Sequence, residues 1–112
     1  MRLFHNMQLV HHKTLTVEKW AILSLTTQLL NVGSELSRAR EMRVAGSRIQ
    51  EERAYERALE LLDITLAGKH SLAELRELTR LREAICSLMV KSELAVSLDE
   101  LYEYILQFSV LK

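Results

Sequence analysis

The sequence predicts an all-α fold: a four-helix up-down bundle built on a central antiparallel helical hairpin, with a short N-terminal arm. Three observations carry this. The 112 residues contain no proline and only three glycines, Gly33, Gly46 and Gly68, which argues against a turn-rich β protein. Apolar residues recur at steps of three and four along most of the chain, the spacing that places them on one face of a helix. The capping-box pattern, a serine followed three residues later by Glu or Gln, occurs at Ser47/Gln50, Ser71/Glu74 and Ser97/Glu100.

The hairpin is the most legible stretch. From Ser47, the apolar set Tyr55, Ala58, Leu59, Leu62 and Leu66 marks a helix running to about Ala67. Gly68 is expected to end it in the left-handed conformation, with Lys69 and His70 placing positive charge at the negative end of the helix dipole. From Ser71, Leu75, Leu78, Leu81, Ile85 and Leu88 mark a second helix ending near Met89. A stop and a start within a few residues predict antiparallel neighbours.

Before the hairpin, Thr14 or Thr16 can cap a long helix with Ile22, Leu25, Leu29, Val32, Leu36 and Ala39 on one stripe. Trp20, Leu23 and Leu30 lie partly off that stripe and widen it. The pattern predicts one continuous helix to about Ala45, roughly 45 Å long at 1.5 Å per residue. Thr26-Thr27 and Gly33-Ser34 are the alternative break points, and Gly46 ends the helix. A last helix follows Ser97, with Leu98, Leu101, Ile105 and Phe108 on one face and Tyr104 off it. Residues 1–14 form the arm and residues 15–112 a single domain.

Composition narrows the function. Fifteen basic and fifteen acidic side chains cancel, so nothing supports a general polyanion binder. A single cysteine, Cys86, excludes an internal disulfide framework and predicts a reducing, cytoplasmic setting. No apolar run approaches the roughly 18–20 residues of a membrane span. The first residues, broken up by histidine, asparagine and glutamine, make a poor signal peptide.

Chemistry is sparse. The chain has no GxxxxGK[ST], HExxH, CxxC or GxSxG pattern, and no catalytic residue, metal ligand or cofactor is assigned. Cys86 sits inside a leucine-rich helix, where burial makes a thiol inert. His5, His11 and His12 belong to the arm, and two adjacent side chains do not share one face of a regular element. Glu52, Glu56, Glu60 and Asp63 step along one face of the first hairpin helix, opposite the apolar stripe, and read as a solvated acidic face interleaved with Arg53 and Arg57.

Two surfaces remain. The apolar stripe exceeds what a small bundle needs, so the leading expectation is a non-enzymatic protein–protein interaction module. It is expected to self-associate, most simply as a homodimer, or to take a helical protein partner. Trp20, Leu23, Leu30 and Tyr104 are the candidate interface residues, and completion of the monomer's own core is the competing role for them. The alternative is a phosphate or nucleic-acid binder using Arg38, Arg40, Arg43 and Arg48 around the Gly46 turn.

Overall fold

The computed structural model describes residues 11–90 and 97–111. Expectations for His5, for the connection at 91–96 and for the side chain of Phe108 lie outside the described residues. The described chain is all-helical: α1 Val17–Ala21, α2 Leu25–Val44, α3 Arg48–Leu66, α4 Leu72–Met89 and α5 Leu98–Leu111. None of these helices is long and apolar enough to cross a membrane.

The first predicted helix is two helices, which corrects the continuous reading. The break falls at Ile22-Leu23-Ser24, ahead of both predicted break points. Thr16 caps α1 by accepting the Lys19 N–H, and Ser24 caps α2 by accepting the Thr27 N–H. Gln28 closes the elbow from the other side, its amide donating to the carbonyls of Trp20 (2.9 Å) and Leu23 (3.3 Å). Turning the chain here lets Trp20 swing onto α3, where it is 5% exposed and its indole N–H donates to Thr65 Oγ1 at 2.8 Å. Of the two roles open to Trp20, its burial fits completion of the monomer's own core.

The turn between α2 and α3 is a complete Schellman motif. The Gly46 N–H donates to the Arg43 carbonyl and the Ser47 N–H to the Met42 carbonyl, with Gly46 at φ +79°. This explains why Ser47 makes no capping box, contrary to the sequence pattern. Its side chain accepts no cap bond, and the N–H that Gln50 would have reached is already given to Met42. Ser71 does form the full box with Glu74, and the Ser97 hydroxyl accepts the Glu100 N–H at 3.1 Å.

Gly68 is not left-handed; Gly46 is the positive-φ glycine. Room, not backbone handedness, is what Gly68 supplies. A β-carbon there would sit 3.3 Å from the Thr65 carbonyl and 3.5 Å from the His70 ring. That ring turns back to donate its Nε2–H to the Thr65 carbonyl, capping the end of α3.

α2 packs against α3 and α5, α3 against α4, and α4 against α5, while α1 lies on α3. The most extensive pairing is α2 on α3 rather than the predicted α3–α4 hairpin. Ala39 on α2 and Ala54 and Ala58 on α3 are small and fully buried. Leu29, Val32, Leu36, Leu62, Leu78, Ile85 and Ile105 belong to the same core, with Tyr55, Leu81 and Leu101.

Gly33 lies inside α2 facing α5. A β-carbon there would meet Ile105 and Tyr102 at 3.5 Å, an ordinary contact. Gly33→Ala is therefore expected to stabilise the fold by about 0.5–1 kcal/mol, through helix propensity and a stiffer unfolded chain. A rise in the urea midpoint checks it; a fall would show that α5 sits closer than this packing.

Candidate functional site

The four arginines do not converge. Arg40 reaches from α2 to α5, with Nη1 at 2.8 Å from Asp99 Oδ1 and the guanidinium 5.5 Å from the centre of the Tyr102 ring. The bond from Asp99 raises the Arg40 pKa above its ordinary value. Arg43 turns inward across the Gly46 turn. Its Nε donates to Glu51 Oε2 at 2.9 Å and its Nη2 to Tyr55 Oη at 3.1 Å, while the Tyr55 hydroxyl donates to the same Glu51 oxygen at 2.8 Å. Burial works against the Arg43 charge, and Glu51 and Tyr55 together more than offset it, so the pKa is raised. Burial first, and the Glu51 carboxylate second, push the Tyr55 hydroxyl far up and keep it neutral.

Arg48 meets Glu52 one turn along α3 at 3.3 Å. Arg38 stands exposed on α2 with no ion-pair partner among the described residues. The shallow depression at the turn is lined by Arg43, Gly46 and Arg48 but also by Glu51, so its wall carries its own carboxylate. Part of this was visible in the sequence, because Glu51 and Tyr55 are one helical turn apart. That Arg43 faces them needed the geometry of the turn.

The acidic face of α3 is solvated in part, at Glu52 and Glu56, and at Glu60 and Asp63 is a seam of contacts. Asp63 takes Arg82 of α4 at 2.6 Å, and Arg57 takes Glu35 of α2 at 2.9 Å. Glu60 accepts the backbone N–H groups of His11 (2.9 Å to Oε2) and His12 (3.2 Å to Oε1), and the His12 ring as well. The His11 ring meets Glu56 at 2.9 Å. The two histidines reach neighbouring carboxylates because they sit on an irregular strap, where adjacent side chains can turn the same way. Among the described residues, no three His, Cys, Asp or Glu side chains come together in a metal-holding group.

Burial alone pushes the Glu60 carboxyl up; the N–H bonds from His11 and His12 outweigh it and hold the pKa below the ordinary 4.5. A depressed carboxylate contributes stability that is present above its unfolded value and lost as pH falls through its folded value. The strap is therefore expected to stay docked down to about pH 4.5 and to detach below it. The hydrogen-bond-shifted amide resonances of His11 and His12 report this directly. Detachment already near pH 6 would show that Glu60 is not the clamp.

One concave surface lies beside the strap, lined by His11, His12, Trp20, Ser34 and Glu35 among others, and another between α4 and α5, the least extensive of the interhelix pairings described above. Leu81, Ala84, Leu101 and Tyr104 floor a groove of about 410 Å³, and Glu77, Arg80 and Glu100 form its rim. Tyr104 rests partly buried against the core and donates its hydroxyl to Glu77. Arg80 pairs with Glu77 at 3.1 Å along α4 and remains largely exposed. Of the predicted interface residues, only Tyr104 belongs to this groove. Leu23 and Leu30 are exposed elsewhere, on the elbow and on α2, and Trp20 is in the core. The sequence reading missed Leu81, Ala84 and Leu101 as groove residues because they fall on stripes that also fill the core.

Cys86 is half-buried on α4, 3.8 Å from the Arg82 guanidinium that Asp63 already holds. Comparison with family models, with curated proteins and with solved structures gives no match to this chain.

Proposed function

We propose that this chain is a small non-enzymatic helical interaction module that self-associates, with the α4–α5 groove as its docking surface. In this reading α2 to α5 form an up-down four-helix bundle whose last two helices receive a helix of a second copy. The observation that carries the proposal is the groove itself: a depression of about 410 Å³ with an apolar floor, Leu81 and Leu101 buried at its base and Ala84 and Tyr104 partly buried, beneath a charged rim. The rim carries both signs, so under a two-fold axis Arg80 of one copy can face Glu100 of the other. The single cysteine supports a reducing, cytoplasmic setting. The anion-binding reading of Arg38, Arg40, Arg43 and Arg48 has less support, because three of the four are neutralised within the chain.

Light scattering across a wide concentration range tests self-association. The expected result is a dimer whose population falls when Ala84→Arg places a charge on the groove floor, while the monomer's helical content stays the same. A strict monomer at every concentration would remove the reading, as would a dimer indifferent to Ala84→Arg.

A further inference from the structure

The elbow at Ile22-Leu23-Ser24 contains no glycine and no proline, and the apolar spacing of a helix runs straight through it. Ile22 is already helical at φ −65°, ψ −29°, while Ser24 departs through ψ 157° at an ordinary φ of −64°. The side-chain caps that hold the bend occupy groups a straight helix would pair by itself. The Trp20 and Leu23 carbonyls, taken here by Gln28, would accept the N–H groups of Ser24 and Thr27. The Thr27 N–H, taken here by the Ser24 hydroxyl, would thereby be released to the backbone. Straightening therefore exchanges hydrogen bonds rather than losing them. It would also draw Ile22, 84% exposed at the bend, into a helix face.

What opposes straightening is the docking of the segment before the elbow. Its long-range bonds go to α3, from Trp20 to Thr65 and from His11 and His12 to Glu56 and Glu60. Its other bonds, Thr16 to Lys19 and Lys19 to Thr14, are internal and travel with it. A helix joined from Val17 to Val44 would be about 42 Å long. The longest extent of the described fold is 37 Å. A straightened helix would project beyond the bundle and carry the segment off its docked position, while the α3 of a second copy offers the same Thr65, Glu56 and Glu60.

We infer that residues 11–21 exchange between two copies of the chain, pivoting at Ile22–Ser24, so that each copy's Trp20 fills the α3 site of the other. This surface is separate from the α4–α5 groove and shares with the function proposed above only the second copy as partner. Exchange is slow, because Trp20 must leave the core before it can enter the other copy, so the dimer forms best on refolding at high concentration.

The test refolds a mixture of copies, half carrying a ¹⁵N-labelled Trp20 indole and half ¹³C-labelled Thr65 methyls, and isolates the dimer by size. The expected result is a cross-copy nuclear Overhauser contact between Trp20 and Thr65. Ser24→Ala, which removes the cap holding the bend, should raise the dimer fraction several-fold. Ser24→Pro keeps the φ of the bend but blocks a continuous helix, and should abolish the exchanged dimer. A dimer with no cross-copy contact, lost on Ala84→Arg, overturns exchange and leaves the groove proposal standing. A cross-copy contact that survives Ala84→Arg supports exchange whatever becomes of the groove. Should Ser24→Pro fail to fold, the contact in Ser24→Ala decides alone, and its absence there overturns the inference.

Discussion

Leu78→Asp is expected to leave the chain unfolded at neutral pH. Leu78 is 1% exposed on the inner face of α4. Removing a buried leucine side chain costs about 2–5 kcal/mol through lost apolar burial and a cavity. The new carboxylate adds a further penalty, because it must stay charged without a partner or bind a proton against its ordinary pKa. Together these rival the roughly 5–15 kcal/mol that holds a typical domain. The far-ultraviolet circular dichroism of the variant should lose its helical signal at 25 °C. Thr79→Asp, one residue along on the exposed face, should melt close to the parent chain. A Leu78→Asp chain with parental stability would mean that α4 turns a different face inward.

Trp20→Ala is expected to cost about 3–5 kcal/mol in urea denaturation, the usual loss for a large buried aromatic. Thr65 would lose the indole donor but keep its own bond to the Leu61 carbonyl at 2.7 Å, so most of the loss is packing. Trp20→Phe keeps much of the buried area and isolates the indole bond, and should cost about 1 kcal/mol for the hydrogen bond, with any packing loss added. The measurement separates the two roles the sequence allows for Trp20. A surface anchor would leave monomer stability untouched and weaken association; a core residue lowers the stability of the monomer itself.

These two positions differ in how legible they were. Leu78 can be assigned from spacing alone, because the stripe Leu75, Leu78, Leu81, Ile85, Leu88 is defined within one helix and bounded by a capping box that does form at Ser71. Its neighbours in sequence are its neighbours on the helix face. Trp20 cannot be assigned that way. The stripe it borders fits a straight helix as well as a bent one, since both satisfy the same backbone groups between Trp20 and Thr27. The choice depends on Thr65, 45 residues away.

The arginines repeat the lesson. Arg40, Arg43 and Arg48 are a cluster in the sequence, yet each is drawn to a different carboxylate, on α5, deeper in the core and along α3. Charge spacing shows which groups are near one another along the chain. It does not show which opposite charge each will meet across the fold. The same holds for Glu60, whose partners His11 and His12 lie on a strap with no periodicity to betray its path.

The sequence by itself determined the helical class, three of the four long helices to within a residue or two, the Gly46 turn, the inner face of α4 and part of those of α3 and α5. These follow from local terms: steps of three and four, serine caps and an absence of proline. Only the tertiary structure decided the elbow at Ser24, the burial of Trp20, the pairing of the arginines and the opening between α4 and α5. Each of these is a competition between locally equivalent arrangements, settled by a contact made elsewhere in the chain.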